Sequence, residues 1–133
     1  MTLWGTTTFA SVSSESPYAQ FLEEIAFACT VHRNGHTSEI ALGGELDLAT
    51  RPTLDEATTT ALHPGPVDTL VIDFTRVTFA DSTTVTWLLR ADRRVRASGG
   101  RLVAVAAPGP VRELLRMTGV DEYVTVVAHA RMR

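Results

Sequence analysis

Leu70-Val71-Ile72-Asp73-Phe74 is a short, nearly continuous apolar run of the kind found in buried central strands. A parallel partner for such a strand can be reached only by a crossover, so helices should follow it. Thr83 to Ser98 has that pattern, with Val85, Leu88, Leu89 and Val95 at helical spacing and Gly99-Gly100 as a stop. Leu102 to Ala106 is a second apolar run, Pro108-Gly109-Pro110 opens a further helix carrying Val111, Leu114 and Leu115, Gly119 ends it, and Tyr123 to Val127 reads as a last strand.

Upstream the period changes to two. Phe27, Cys29 and Val31 alternate with small or polar neighbours, Ile40 and Leu42 do the same, and Arg33-Asn34-Gly35-His36 lies between them. Asn-Gly between alternating runs is a strong hairpin signal. Gly43-Gly44-Glu45-Leu46-Asp47 closes the hairpin, Thr50 is placed to cap a helix whose first turn holds Pro52, and Leu54, Ala57 and Ala61 form its apolar face. Thr58-Thr59-Thr60 makes that helix intrinsically poor, because β-branched side chains lose rotamer freedom there. Arg76 to Asp81 reads as the connection out of the central strand. The order β-β-α-β-α-β-α-β predicts an α/β fold: a mixed sheet of about five strands with an N-terminal β-hairpin and three to four helices. Residues 1–16, rich in Thr and Ser, are expected to be a flexible arm, and 17–133 a single domain with its core in about 27–127.

Composition narrows the functions. With 133 residues, 44% of them hydrophobic, the chain can form an ordinary core without staples, and its one cysteine has no partner within the chain. A net charge of −3 gives no electrostatic reason to expect nucleic acid, and no apolar run approaches a membrane span. The predicted setting is cytoplasmic, without membrane insertion. P-loop, dinucleotide, serine-hydrolase, zincin and C-x-x-C patterns are all missing, so no cofactor is expected. His32 and His36 are separated by a turn rather than stacked on a helix, which argues against a metal, and Cys29 falls in phase with the core residues.

The remaining candidate for chemistry is Asp81-Ser82-Thr83-Thr84, where a strand ends and a helix begins. Two readings are open. Asp, Ser and Thr are helix-cap residues whose oxygens accept the orphan N–H bonds of the first turn. A hydroxyl there can also be a phosphate acceptor, and its phosphate would carry about −1.5 to −2 charges at neutral pH.

Gly44-Glu45-Leu46-Asp47, Leu70 to Phe74, Val77-Thr78-Phe79-Ala80-Asp81-Ser82, Leu88-Leu89-Arg90, Gly99-Gly100-Arg101-Leu102 and Leu114-Leu115-Arg116-Met117-Thr118-Gly119 together resemble the STAS domain, specifically its anti-sigma factor antagonist branch. The resemblance implies binding to an anti-sigma factor that is also a serine-threonine kinase, with release of a sigma factor. Phosphorylation would end the complex and a phosphatase would restore it. The kinase would bring ATP and magnesium, and this chain would not be an enzyme. The family pattern makes Thr83 the implied acceptor, with Ser82 the second choice, and makes Asp47 the acidic residue beside it. Thr84 stands where the family usually has glycine, adding a branched side chain beside the acceptor that could obstruct a kinase needing close backbone approach. The alternative reading is a non-phosphorylated STAS module serving as a scaffold or lipid-transport-type subunit.

At about 100° per residue, Trp87, Arg90 and Arg94 fall within about 40° of Thr83 around the helix. These are residue types enriched at interface hot spots. The resemblance and this geometry together make the expected partner surface Glu45, Asp47, Asp81, Ser82, Thr84, Trp87, Arg90 and Arg94; the other reading of Trp87 is that it packs under the N-terminal arm. Asp92 is expected near the helix's exposed end, paired with Arg96 at i+4.

Overall fold

A computed structural model describes residues 5–10 and 27–129. It contains six strands, β1 (Gly5–Ala10), β2 (Ala28–Asn34), β3 (Thr37–Leu46), β4 (Thr69–Ala80), β5 (Arg101–Val105) and β6 (Thr125–Val127). Three α-helices, α1 (Arg51–Ala61), α2 (Ser82–Ala97) and α3 (Pro110–Met117), and two short 3-10 turns, Leu48–Thr50 and Val120–Glu122, connect them. The strands form one sheet in the order β1-β2-β3-β4-β5-β6. The first two pairings are antiparallel and the rest parallel, as a hairpin followed by crossovers requires.

The sheet has one strand more than expected. β1 comes from the stretch read as a loose arm and pairs with β2 from Gly5↔Arg33 to Ala10↔Cys29. The other residues of that stretch, and Tyr18 to Ala26, lie outside the described residues. The hairpin turn is Gly35-His36, one residue later than the Asn-Gly signal suggested, with Gly35 at φ +64 and Asn34 facing Thr37. β4 also outruns its apolar run. Arg76 to Ala80, expected as a connection, continues beside Gly43–Leu46 of β3 through two register shifts. Near the first shift the Asp73 carboxylate accepts bonds from the backbone N–H of Thr75, at 2.8 Å, and from its hydroxyl.

Pairing puts the apolar side chains of β2 to β5 in register on one face: Cys29 with Leu42, Val31 with Ile40, Ile72 and Ala104, and Leu70 with Leu102. α1 packs on β2 and β3, α2 on β4 and β5, and the two helices pack on each other. Leu54, Ala57, Ala61, Leu88, Ala91 and Val95 are buried beneath them. Each large side chain so buried contributes about 1.5–3 kcal/mol, enough to hold α1 helical despite its threonines. The buried Thr58 hydroxyl is satisfied within the helix, donating to Leu54 O at 2.8 Å. At the far end of α1, Ser38 Oγ donates to Ala61 O at 2.6 Å, and the buried Arg33 reaches Gly35 O, Ala61 O and Pro66 O. These bonds satisfy a helix-terminal carbonyl and fix the loop from α1 to β4.

Candidate phosphoacceptor and partner-binding site

β3 and β4 are adjacent and parallel, with Leu46 opposite Ala80, so the next residue of each strand, Asp47 and Asp81, leaves the same end of the sheet. Neighbouring strands lie about 4.8 Å apart, which sets the spacing of the two chains at this point. The N–H of Asp81 donates to Leu46 O at 3.3 Å and holds the two exits together.

Both aspartates cap the helical turn that follows. Asp47 Oδ1 accepts from Ala49 N at 3.0 Å and Thr50 N at 3.3 Å, while Thr50 Oγ1 accepts from Asp47 N at 3.0 Å. The cap thus belongs to Asp47; Thr50, expected to cap α1, makes no side-chain cap bond there. Asp81 Oδ1 accepts from Thr83 N at 3.0 Å and from Thr83 Oγ1 at 2.5 Å. One carboxylate oxygen therefore both starts α2 and orients the candidate acceptor hydroxyl through a charge-assisted bond. The cap reading and the acceptor reading are compatible, because a single aspartate serves both.

Around this pair, Glu45 and Ser82 are exposed and Thr83 is half-buried. Two apolar neighbours escaped the sequence reading: Leu48, 70% exposed directly after the Asp47 cap, and Phe79, 50% exposed and in register with Glu45. Phe79 shares strand parity with the buried Val77, so alternation gave no warning of its exposure.

The structure corrects two members of the expected surface. Trp87 is only 1% exposed, and its indole N–H donates to Thr58 Oγ1 at 2.8 Å and Leu54 O at 3.1 Å. The helical angle was sound, but α1 lies over that part of α2 and takes the tryptophan into the core. Arg90 and Arg94 remain exposed beside it, along a shallow groove edged by Asp55 and Thr59, with Arg94 Nη2 3.4 Å from Thr59 Oγ1. Thr84 is also 1% exposed, so its side chain points inward and does not crowd the surface at Thr83. The departure from glycine therefore leaves that approach unobstructed, and its cost falls in the core, where Thr84 Oγ1 has no hydrogen-bond partner among the described residues.

Asp92 does pair with Arg96, whose Nε lies 3.0 and 2.9 Å from the two carboxylate oxygens, but it is buried rather than at an exposed end. Arg96 Nη2 also bonds Tyr123 O, which ties α2 to the turn before β6. Burial pushes the Cys29 thiol up to about 12, a protonated group unsuited to nucleophilic work. Among the described residues no group of three or more His, Cys, Asp or Glu side chains could hold a metal ion, and no helix is long and apolar enough to cross a membrane.

The family model described as "Mlab, STAS domain" matches residues 29–128. The chain belongs to the STAS-domain family. Among solved structures, this STAS domain is similar to an anti-sigma factor antagonist from Mycobacterium paratuberculosis, with TM-score 0.71 and 24% identity over 78% of this chain and 87% of that one. It is also similar to the anti-sigma factor antagonist SpoIIAA in its unphosphorylated form, with TM-score 0.66 and 26% identity over 77% of this chain and 90% of that one. A third similar structure is the Bacillus cell fate determinant SpoIIAA in its phosphorylated form, with TM-score 0.60 and 27% identity over 77% and 93% of the respective chains. β1 precedes the residues that the STAS model matches.

Proposed function

We propose that this STAS domain is a cytoplasmic anti-sigma factor antagonist: a binding protein that engages an anti-sigma factor kinase, releases a sigma factor, and is switched off by phosphate on Thr83. The observation that carries the reading is the Asp81–Thr83 bond, which holds a hydroxyl at the mouth of the two strand exits with the side chain of Thr84 turned away. Similarity to SpoIIAA in both phosphorylation states supports it. The proposed partner surface is Glu45, Asp47, Asp81 and Ser82 with Leu48 and Phe79, extended along α2 by Arg90 and Arg94.

In the proposed transfer, Thr83 Oγ1 attacks the γ-phosphorus of ATP bound to the kinase, the bond to the β,γ-bridging oxygen breaks, ADP leaves, and the hydroxyl sheds its proton to a base. The ester oxygen then has no hydrogen to donate, so its bond to Asp81 is lost and a dianion faces Asp81, Asp47 and Glu45. Repulsion and desolvation together weaken the complex by about 3–4 kcal/mol, a 10²- to 10³-fold loss of affinity. A phosphatase would reverse the change.

Thr83→Ala should bind the kinase constitutively and Thr83→Glu poorly; equal affinities would refute the account. Trypsin cutting after Arg76 and Arg90 releases Val77 to Arg90 as one peptide, so mass spectrometry of the cellular protein locates any phosphate on Ser82, Thr83 or Thr84. An unmodified peptide under every growth condition, from protein still bound to a partner, would favour the non-phosphorylated scaffold or lipid-transport-type subunit, the reading that Thr84 in place of glycine first suggested.

A further inference from the structure

Arg51 occupies an unusual position for a cation. It is the first residue of α1, its side chain is only 16% exposed, and its Nη1 lies 3.5 Å from the carbonyl oxygen of Thr83 in the first turn of α2. Its Nε is 3.4 Å from Asp55, a carboxylate that is itself 52% exposed. Both contacts are long for charge-assisted bonds, and a guanidinium has five N–H donors to place.

The location also works against a positive charge. Helix N-termini carry partial positive charge, and Arg51 stands at the start of α1 while reaching the start of α2. α1 has no acidic residue in its own first turn, and Asp47, which caps the turn leading into it, is taken up by Ala49 N and Thr50 N. A cation held there gains most when an anion arrives beside it. Asp47 and Asp81 flank the spot, but their carboxylates bond the N–H groups and hydroxyl of their own capping turns.

We propose that Arg51 is the intramolecular receptor for phosphate on Thr83: when the hydroxyl is phosphorylated, the guanidinium leaves Asp55 and pairs with the phosphoryl oxygens. The inference rests on the phosphorylation reading above and extends it. Arg51 gives the dianion a countercharge on a surface otherwise lined by Asp47, Asp81 and Glu45, with Asp55 beside it. It directly follows the Leu48–Thr50 turn, so the new pairing would tie the Asp47 loop to the start of α2. Arg51 is a positioning residue, not a catalytic one.

The test installs phosphothreonine at position 83 of the full chain by genetic encoding, which needs no kinase, and titrates the phosphate by phosphorus NMR. The second ionisation, normally near pH 6, should lie lower in the otherwise native phosphoprotein than in its Arg51→Gln counterpart by about half a unit or more. Arg51→Lys should recover part of that difference, because it keeps the charge but loses the planar fork. Coincident titrations of the native and Arg51→Gln phosphoproteins, both folded by circular dichroism, would overturn the proposal. If Arg51→Gln does not fold, Arg51→Met, which keeps an apolar stem in the buried position without the charge, replaces it: the phosphate ionisation should rise by the same amount, and no change would overturn the proposal equally. Failure of the phosphorylation reading is recorded separately, by an unmodified Val77–Arg90 peptide from cells, whatever the titration shows.

Discussion

Thr84→Val tests the inward orientation of the residue that departs from the family pattern. The two side chains are nearly isosteric and have similar helix propensities, so the exchange replaces one buried hydroxyl by a methyl group and alters little else. Thr84 Oγ1 is buried with no partner among the described residues. Leaving such a group unpaired costs about 1–3 kcal/mol, and the added methyl contributes about 0.8 kcal/mol. The variant should therefore be more stable by about 2–4 kcal/mol. At roughly 3–5 °C per kcal/mol for a chain of this size, Tm should rise by about 6–20 °C. Urea unfolding followed by tryptophan fluorescence should show a higher midpoint with an unchanged slope. A variant no more stable than the parent would refute the reasoning, because it would mean that the hydroxyl has a partner. Thr84→Gly, which restores the family's residue and also removes the unpaired hydroxyl, should be less stable than Thr84→Val by about 2 kcal/mol or more through helix propensity and a cavity, without faster phosphorylation of Thr83.

Trp87→Phe deletes the indole N–H that bonds Thr58 and Leu54 and should destabilise the fold by about 1–3 kcal/mol, read by chemical denaturation, with little change in partner affinity. Arg33→Ala removes the donors to Gly35, Ala61 and Pro66 together and should cost about 3 kcal/mol, with faster amide exchange in residues 61–67. The Cys29 thiol is raised from about 9 to about 12, so the unfolded chain loses this proton first and unfolding is favoured as pH climbs between those values. Its contribution is intact below pH 9 and falls by about 1.4 kcal/mol per unit above it. Urea midpoints against pH should show that slope in the native chain and not in Cys29→Ala.

The central strands and all three helices were legible because apolar spacing reports which face of an element is covered. Leu70, Ile72, Leu88 and Val95 are buried where the pattern placed them. The same spacing cannot say what covers a polar face. Trp87 lay at the expected angle, yet α1 occupies the space that a partner was expected to fill. Thr84 was read by its neighbour in sequence, although adjacent helical residues point about 100° apart. β1 was missed because Thr6, Thr7 and Thr8 show no apolar alternation; its pairing depends on the backbone edge of β2. Asp81 could be read as a cap residue and Asp47 could not, since the local pattern points to Thr50 as the cap there; their side-by-side placement follows from the parallel register of β3 and β4, which no local pattern encodes.

β1 has a practical meaning for where the chain is cut. The STAS match begins at residue 29, and a truncation guided by it would delete a strand that pairs with β2 from Cys29 to Arg33. The exposed row of N–H and C=O groups would then be a template for a second molecule. A chain trimmed to the family boundary would be prone to self-association through that edge, with Thr83 unaltered and its assembly state an artefact of the cut.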